Sequence, residues 1–474
     1  MQLIHILIFA GIAAFIGVLG SARWRRWLLL VISAVAVFWL QPTLPIRHLD
    51  FWLPTSTLII TALLWAGTRP SDADSINWQE TLATAGILAG LVILLALTRF
   101  VEPLSALTAS RPPQVYQVAV VMALGLGLAL ATLYGHSRWL ALAAGGLLVA
   151  AIVVLKLPAL TEAVSQLLRS LNGQPVAGAS PLDLGWLGFS YIAFRLLHTV
   201  LDRWNGRLPV LSLSDFVIYV IFFPALVAGP IDRVERFSSD LAANFRLNAE
   251  SCLAGGKRIV LGLFMKFVLA DLLALIALDG TRATQVTGPG WLWMLVYAYA
   301  FRLFFDFAGY THIAIGIGQL MGITLPENFD RPYLKGNLTA FWNSWHITLA
   351  MWFRAYYFNP VSRALRTRNV PVPAIIAFTQ ITTMLLIGLW HGITWNFAIW
   401  GLWHGVGLFI NNRWQNATRA RMRRWNENPR LKPVLSVAGV LVTFHYVALG
   451  WVWFALPNLS LSVSTLLGLF GVTA

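Results

Sequence analysis

Cysteine and charge are both scarce in this chain. Of its 474 residues only Cys252 is a cysteine, which excludes an internal disulfide and a cluster of thiolate metal ligands. Charged residues make up 11% and hydrophobic residues 58%, with a mean hydropathy of +0.70. A soluble protein of this size carries roughly a quarter of its residues charged. The composition therefore predicts a protein whose main solvent is lipid.

Charge is absent over stretches long enough to cross a membrane. A helix needs about 18–20 apolar residues to span a hydrocarbon core of about 30 Å. Stretches without Asp, Glu, Lys or Arg cover residues 1–22, 27–46, 51–68, 81–98, 112–137, 139–155 and 283–301, and longer ones cover 369–412 and 433–474. They are continuously apolar rather than alternating, which favours helices over a closed barrel. We therefore predict an all-α, multi-pass transmembrane protein with about eleven to thirteen hydrophobic helices.

Acidic residues are fewer than basic ones, and the basic ones lie between the apolar stretches. There are 34 Lys and Arg against 19 Asp and Glu, a net charge of +15. Short basic loops beside spans follow the positive-inside bias and attract anionic headgroups. We therefore expect membrane lipids rather than nucleic acid as partners, and the cytoplasmic membrane as the location. Residues 1–20 lack a basic start and a small-x-small cleavage site, so a retained span is expected there, with the N-terminus outside if residues 22–26 are cytoplasmic.

The residue composition of the apolar segments changes near Leu184. Residues 1–183 are simple apolar stretches and are predicted to be scaffold transmembrane helices. From Leu184 onward, Trp, Tyr, His, Asn and Arg occur inside apolar segments, and polar groups in a membrane generally mark a packed pathway or site. We expect residues 184–412 to be the core that carries the chemistry. Residues 413–474 are predicted to form a basic cytoplasmic loop and C-terminal transmembrane helices.

Two histidines lie in the long charge-free stretch, each in a Gly-Leu-Trp-His-Gly pentad. His391 and His404 are thirteen residues apart, which on one helix would place them about 140° apart. A break near Ile393–Asn396 is therefore expected, and it would give two helices. Histidines between small residues commonly make interhelical hydrogen bonds, and that interpretation stays open here. For His391, charge-free surroundings that favour neutral imidazole also suit a general acid or base.

A third histidine, His346, follows Phe341-Trp342-Asn343-Ser344-Trp345. Helical spacing would place Trp342, His346 and Phe353 on one face of an aromatic helix. A packed core helix is one interpretation. The basic residues that follow (Arg354, Arg363, Arg366 and Arg368) fit ordinary topology, or a cationic mouth for a phosphate-bearing donor such as coenzyme A.

Carboxylates within apolar segments are most simply explained by ion pairing. Asp232 and Arg233 end the segment Phe223–Arg233. Asp306 lies four residues after Arg302, so a helical pair is expected there. No His-x-x-x-His or His-Glu-x-x-His pattern occurs, and carboxylates are scarce near His391, so no metal site is predicted.

Six segments in this order resemble the membrane-bound O-acyltransferase family, in particular its bacterial branch of alginate O-acetylation proteins and teichoic acid D-alanyl transferases. The resemblance covers about residues 184–410. The matching segments are Gly188–Tyr191 with Phe194-Arg195, Phe223–Arg233, Asp306–Tyr310, Pro326–Phe329 with Arg331–Tyr333, Phe341–His346 with Trp352–Arg354, and Leu389–Gly392. The chain departs from the family pattern at Ala355, where Asp is common, and at Thr311-His312.

The resemblance implies a ring of tilted helices around a central funnel or tunnel. It implies His391 as the catalytic histidine and His346 as the second functional one. Substrate or donor contacts are expected from Trp345, Asn343, Arg354, Trp390, Asn396 and Asp306, with Asn396 or tryptophan N–H groups supporting an oxyanion.

The same resemblance implies a reaction and its participants. No cofactor would be permanently bound. An acyl group, acetyl in the leading hypothesis, would pass from acetyl-coenzyme A or a carrier phosphopantetheine on the cytoplasmic side to an exported polysaccharide or envelope glycan. A separate extracytoplasmic partner protein is expected. D-alanyl transfer to teichoic acid is the alternative within the enzyme class, and a transporter or a non-catalytic scaffold subunit is the alternative outside it.

Overall fold

The chain is helical throughout the part that the structure describes. The computed structural model describes residues 2–69, 76–135 and 138–472. Within these ranges the only bridge between extended segments joins Phe329 to Trp345. The all-α prediction is confirmed.

The chain packs into two compact units. Unit 1 comprises residues 1–259 and 313–326, and unit 2 comprises residues 260–312 and 327–474. These units reflect packing, so the predicted division into 1–183, 184–412 and 413–474 stays a prediction about function.

Unit 1 contains the following helices: α1 (Leu3–Leu19), α2 (Ala22–Trp39), α3 (Leu49–Gly67), α4 (Trp78–Leu97), α5 (Val115–Gly135), α6 (Arg138–Lys156), α7 (Pro158–Leu171), α8 (Phe189–Trp204), α9 (Leu213–Ile221) and α10 (Val234–Ala242). The next helix, α11 (Ala249–Phe264), begins in unit 1 and ends in unit 2. Local signals explain several helix starts. The side chains of Asn77 and Ser212 cap α4 and α9 by accepting backbone N–H groups, and proline opens α7.

Unit 2 contains α12 (Asp271–Ala274), α13 (Gly280–Gln285), α14 (Pro289–Leu320), α15 (Leu338–Trp342), α16 (Ile347–Phe353), α17 (Asn359–Thr367), α18 (Val372–His391), α19 (Trp395–Glu427), α20 (Leu431–Ala455) and α21 (Leu459–Gly468). The end of α14 belongs to unit 1. Two π-helical segments, Met265–Ala270 and Arg354–Phe358, interrupt the regular helices. Such segments are rare and are frequent near functional sites.

Fewer helices can cross a membrane than the eleven to thirteen expected. In the described part of the chain, α3, α4, α5, α14, α18 and α20 are long and apolar enough, and a pair bent by 96° at Leu157 makes a seventh candidate. The count differs because an apolar stretch such as residues 1–22 folds into a helix of only 17 residues, and α8 and α9 have 16 and 9 residues. A multi-pass membrane protein is nevertheless what these helices define.

The basic segment after residue 412 is helical rather than a loop. Residues Arg413–Arg424 continue α19, which runs for 33 residues to Glu427. Arginine, alanine, methionine and glutamine favour helices, and the segment contains no glycine or proline before Pro429. The predicted loop is therefore wrong in this part.

The core of unit 1 is held by buried arginines. Arg25 is 2% exposed, and its guanidinium donates to the carbonyl oxygens of Asp240, Leu241 and Ala243 at 2.6–2.8 Å, and to that of Met321 at 3.2 Å. These bonds attach α2 to chain segments that lie more than 200 residues away in sequence.

Two of the family-like segments meet inside unit 1. Arg195 of the Phe-Arg pair donates to the carbonyl oxygens of Val220 and Ala225 at 2.8 and 2.7 Å. Gly188 has a positive φ of 67°, and a Cβ there would lie 2.4 Å from the carbonyl oxygen of Leu226. Only glycine fits that position. In this chain these segments therefore hold the fold of unit 1 together.

Candidate active site

A cavity in unit 2 brings together the two histidines singled out by the sequence. It has about 350 Å³ of empty volume, part of it open to the outside, and its wall is mostly aromatic. Its lining consists of Leu303, Phe307, Trp342, Trp345, His346, Leu349, Ile387, His391, Trp400, Trp451 and Phe454. We call it the histidine cavity. Among the described residues, none that lines it is acidic.

His391 is placed by the break between α18 and α19. It is the last residue of α18, Gly392 is extended with φ −179°, and Thr394 caps α19 by accepting the N–H of Phe397. The predicted break near Ile393–Asn396 is confirmed. The His391 ring packs against the edge of Phe454, with ring centroids 4.8 Å apart.

The repeated pentads serve the packing of this helical hairpin. A Cβ at Gly388 would lie 2.2 Å from the carbonyl oxygen of Phe397, and one at Gly401 would lie 2.6 Å from that of Met384. The two helices can approach so closely only because both positions are glycine. His404 of the second pentad does not line the cavity. It is fully buried against Trp342 and Trp400, with ring centroids 5.2 and 5.0 Å away.

His346 lies at a break, and the single aromatic helix expected around it is wrong. The chain forms α15 and α16 with His346 between them at φ 44°, a left-handed conformation uncommon outside glycine. Asn328 explains the break. Its carbonyl accepts the N–H of Ile347, and its side-chain oxygen accepts both the N–H and the hydroxyl of Thr348, at 2.7–3.2 Å. A remote segment thus replaces the helical hydrogen bonds.

The break turns the His346 ring into the histidine cavity. His346 is 4% exposed and packs edge-on against Phe307 with centroids 4.7 Å apart. It also approaches Trp390, whose ring lies 6.2 Å away and 4.6 Å from His391. His346 lies outside the candidate spans, and burial lowers its pKa to about 3. The imidazole is therefore neutral at physiological pH.

A second, larger pocket adjoins the histidine cavity. It has about 630 Å³ of empty volume and contains Arg354 and Asn343, whose side chains are joined by a 2.6 Å hydrogen bond from the guanidinium to the amide oxygen. We call it the Arg354 pocket. The other residues lining it are Thr339, Trp342, Ala350, Phe358, Gln380, Thr383, Met384, Ile387 and Leu408. Trp342 and Ile387 line both spaces, so these two side chains stand between them.

Two tryptophans that line the histidine cavity have buried indole N–H groups. Trp342 Nε1 and Trp400 Nε1 are buried and make no hydrogen bond to any residue that the structure describes. A buried donor without a partner is costly, so such groups commonly face a ligand or an ordered water. Both residues line the histidine cavity. Sequence reasoning anticipated tryptophan donors but did not identify these two.

Asn396, which was expected to support an oxyanion, is buried and bonds other parts of the protein. It is 4% exposed, and its amide nitrogen donates to the carbonyl of Leu456 at 2.8 Å and to the hydroxyl of Ser462 at 3.0 Å. Both amide protons are therefore used to join α19 to the segments after α20. Asn396 does not line the histidine cavity.

Asp306 pairs with a different cation from the one expected. Its carboxylate bonds Lys266, forty residues earlier in the chain, rather than Arg302. One turn later, a Cβ at Gly309 would lie 2.8 Å from the carbonyl of Gly262. The Asp-Phe-Ala-Gly-Tyr segment thus docks α14 onto the segment around Lys266. Asp306 lines neither space, whereas Phe307 beside it lines the histidine cavity.

Three of the remaining predicted site residues line one or the other of the two spaces. Trp345 lines the histidine cavity, and Asn343 and Arg354 line the Arg354 pocket. Trp390 lines neither and packs behind the two histidines. Sequence reasoning missed Trp451 and Phe454, since they lie beyond the predicted core and no local pattern distinguishes them from other apolar residues of α20.

Comparison with known proteins was made for the whole chain. The membrane-bound O-acyltransferase family matches residues 184–448. The teichoic acid D-alanyltransferase of Streptococcus thermophilus is 32% identical over 302 residues, which cover 60% of this chain and 71% of that protein. The probable alginate O-acetylase of Pseudomonas aeruginosa is 35% identical over 287 residues, covering 58% of this chain and 50% of that protein. The peptidoglycan O-acetyltransferase of Helicobacter pylori is 34% identical over 279 residues, covering 56% and 49%.

The chain belongs to the membrane-bound O-acyltransferase family. The resemblance predicted from residues 184–410 is confirmed, and the match extends into α20. The protein is a multi-pass O-acyltransferase of the cytoplasmic membrane, a class that takes its acyl groups from acyl donors. The match spans about half the length of the alginate and peptidoglycan relatives.

Proposed function

We propose that the protein transfers an acetyl group from a thioester on the cytoplasmic side to a hydroxyl of an exported polysaccharide or envelope glycan, with His391 as the general base. The observation that carries this proposal is the shared cavity of His391 and His346, which adjoins a pocket containing Arg354. Two of the similar proteins are named as O-acetyl transferring enzymes of envelope polymers.

Acyl transfer needs a base, a place for the developing negative charge and a dry cavity. His391 takes the proton of the acceptor hydroxyl as its oxygen attacks the thioester carbonyl. The carbonyl oxygen becomes an oxyanion, which the N–H groups of Trp342 and Trp400 stabilise. Collapse of the tetrahedral intermediate forms the ester and breaks the carbon–sulfur bond. The leaving sulfur takes the proton back from His391, so the imidazole is regenerated.

His346 and Arg354 have different tasks in this proposal. His346 is neutral and fixed at a chain break, so it orients a reacting hydroxyl or carbonyl by a hydrogen bond. Arg354 offers a cation and planar N–H groups that suit a phosphate of the donor. The donor would lie in the Arg354 pocket with its thioester reaching past Trp342 and Ile387. A ring of helices around a funnel and an extracytoplasmic partner that receives the product complete the proposal.

A D-alanyl group is the second candidate for the acyl group. The similarity to the teichoic acid D-alanyltransferase covers 71% of that protein, more than for the acetylating relatives. The same cavity would serve it, because the base and oxyanion donors act on the thioester and not on the acyl chain. The donor would then be a carrier protein with a phosphopantetheine arm.

The test is acyl transfer by the purified protein in lipid vesicles. Labelled acetyl-coenzyme A and, separately, a D-alanyl carrier thioester are supplied to wild type, His391→Ala and His445→Gln. His445 is a matched control in the same unit, since its ring bonds Tyr297 and the carbonyl of Leu441 and lines neither space. We expect turnover with one donor in wild type and the control, and none in His391→Ala. Equal turnover in all three proteins would refute His391 as base. No turnover by folded wild type with either donor would favour a non-catalytic subunit.

A further inference from the structure

A cluster of metal-ligating side chains lies in unit 1, and none of its residues lines the histidine cavity or the Arg354 pocket. His198 and Asp202 are one turn apart on α8, and they are 1% and 3% exposed. Glu235 comes from the first turn of α10. One ligand atom from each of the three lies within 4.8 Å of the others. His198 and Asp202 are buried and Glu235 is not, and buried charged groups are normally held by shared protons or by a cation.

A hydrogen bond on the far side of the His198 ring defines its protonation. The Tyr219 hydroxyl donates its one proton to the carbonyl of Asp232 at 2.8 Å. Its 3.2 Å contact with His198 Nδ1 must therefore be a bond in which Nδ1–H donates to the tyrosine oxygen. The proton on Nδ1 leaves Nε2 as the ring nitrogen that faces the carboxylates.

Two carboxylates lie close to the His198 ring. Asp202 Oδ2 lies 3.3 Å from Nε2, and two lone pairs at that distance repel each other unless a proton or a cation lies between them. A ligand atom of Glu235 completes the group. Arg207 lies 3.3 Å from the other oxygen of Asp202, and its side chain is 58% exposed, so its charge is well screened. A metal ion would be bound by all three side chains at once.

We propose that His198 Nε2, Asp202 and Glu235 bind a divalent transition metal ion of the Zn²⁺ class. One imidazole and two carboxylates form a common donor set for zinc, with a fourth position left for water. The Tyr219 bond to Nδ1 is the outer contact that typically orients a metal-bound histidine. Ligand atoms of a tetrahedral zinc site lie about 3.3–3.6 Å apart, and the flexible Glu235 side chain can close the remaining distance.

The backbone of Asp202 is held in place by hydrogen bonds. Its backbone carbonyl accepts the N–H groups of Arg207 and Leu208 at 2.8 and 3.2 Å, which fixes the end of α8. A bound metal would connect this helix end to α10. The sequence showed no sign of the site, because the third ligand is 33 residues beyond the second and no spacing pattern links them.

The test uses the full-length protein in detergent, stripped with a chelator and titrated with zinc chloride. Metal content is measured by mass spectrometry, and the thermal midpoint is measured with and without zinc. We expect one equivalent of zinc and a higher midpoint in wild type, whereas Glu235→Gln should lose about tenfold or more in affinity. Glu235→His supplies another zinc ligand and should restore binding. His445→Gln, which changes a tyrosine-bonded histidine in unit 2, should bind as wild type does.

Two outcomes would overturn the proposal. One is a wild type that takes up no more zinc than a protein with both His198→Gln and Glu235→Gln. The other is zinc uptake that Glu235→Gln and Asp202→Asn both leave unchanged. Either result would show that these three side chains do not bind zinc. The acyl-transfer assay is a separate measurement on variants of other residues, so the two proposals fail independently.

Discussion

Unit 1 buries Arg25 and Arg195 with their terminal N–H groups donated to backbone carbonyls, whereas unit 2 buries Trp342 and Trp400 around a cavity with indole N–H groups that have no partner among the described residues. The first arrangement stabilises a fold, because the terminal guanidinium nitrogens find carbonyl partners within the chain. The second arrangement leaves donors available to a ligand. The comparison teaches that a buried polar side chain can serve the fold or a site, and that the family-like segments contribute to both.

The largest expected effect is on catalysis in unit 2. His391→Gln should lower the rate of acyl transfer about 10²–10⁴-fold, because a positioned base contributes that much. His346→Gln should also be severe, and the double variant should be little worse than His391→Gln, since the two act on one reacting pair. Rates in lipid vesicles, with folding checked by size exclusion, measure this. Fully additive losses would show that the two histidines act independently.

Trp342→Phe sharpens the comparison by removing an N–H and keeping most of the ring. We expect kcat to fall about 10²-fold, as for one oxyanion donor, while the thermal midpoint hardly changes. The reason is that this N–H makes no hydrogen bond to a residue in the described part of the chain. Full activity in Trp342→Phe would remove this indole from the mechanism. Tyr297→Phe in the same unit, which changes a group bonded to His445, is the control.

Arg25→Met is the converse experiment in unit 1. It should cost about 3 kcal/mol of stability or more, because buried carbonyls lose their donor. The activity per folded molecule should stay within about twofold of wild type, because Arg25 lines neither the histidine cavity nor the Arg354 pocket. Thermal unfolding and the activity of the folded fraction measure the two quantities. A variant that is stable but inactive would contradict the structural role.

Arg354→Met tests the expected donor pocket with a smaller effect. KM for the donor should rise about tenfold, which corresponds to one charge-assisted hydrogen bond of about 1.4 kcal/mol, with kcat little changed. Arg354→Lys should recover part of it, because a lysine keeps the charge but lacks the planar fork. Gln380→Leu, in the same pocket, controls for general damage to its wall. Unchanged KM in Arg354→Met would move the donor elsewhere.

The smallest effect concerns pH and a loop of unit 1. Burial alone would raise the pKa of Asp183, but hydrogen bonds from Ser165, Arg169 and the N–H of Ser180 outweigh it and hold the pKa below its usual value. The stabilisation is therefore complete above the unfolded-state pKa of about 4 and is lost as pH falls through the folded-state value. Asp183→Asn should lower the midpoint at pH 7 and lose less on acidification than wild type. Parallel pH profiles would contradict this.

The sequence predicted what local signals encode. Gly392 and Thr394 are a break and a cap next to each other, so the end of α18 at His391 was foreseeable. The apolar stretches likewise predicted helices. Their number was overestimated, because charge-free length does not reveal where a chain turns inside the membrane.

Long-range partners account for the contacts that the sequence did not predict. The break at His346 is made by Asn328, eighteen residues earlier, and Asp306 bonds Lys266 forty residues earlier. The amide of Asn396 bonds Leu456 and Ser462 from segments sixty residues or more beyond it. A single sequence contains no signal for such pairs, since each partner is locally unremarkable.

The central claim is that a thioester donor reaches the cavity of His346 and His391. A bromoacetyl derivative of pantetheine, the arm common to both candidate donors, tests it most directly when the alkylated residues are mapped by mass spectrometry. The exposed thiol of Cys252 is first replaced by serine, because it would react on its own. The account predicts alkylation of His391 or His346 that acetyl-coenzyme A or the carrier thioester suppresses. Alkylation confined to residues outside the histidine cavity, with no protection by either donor, would contradict it.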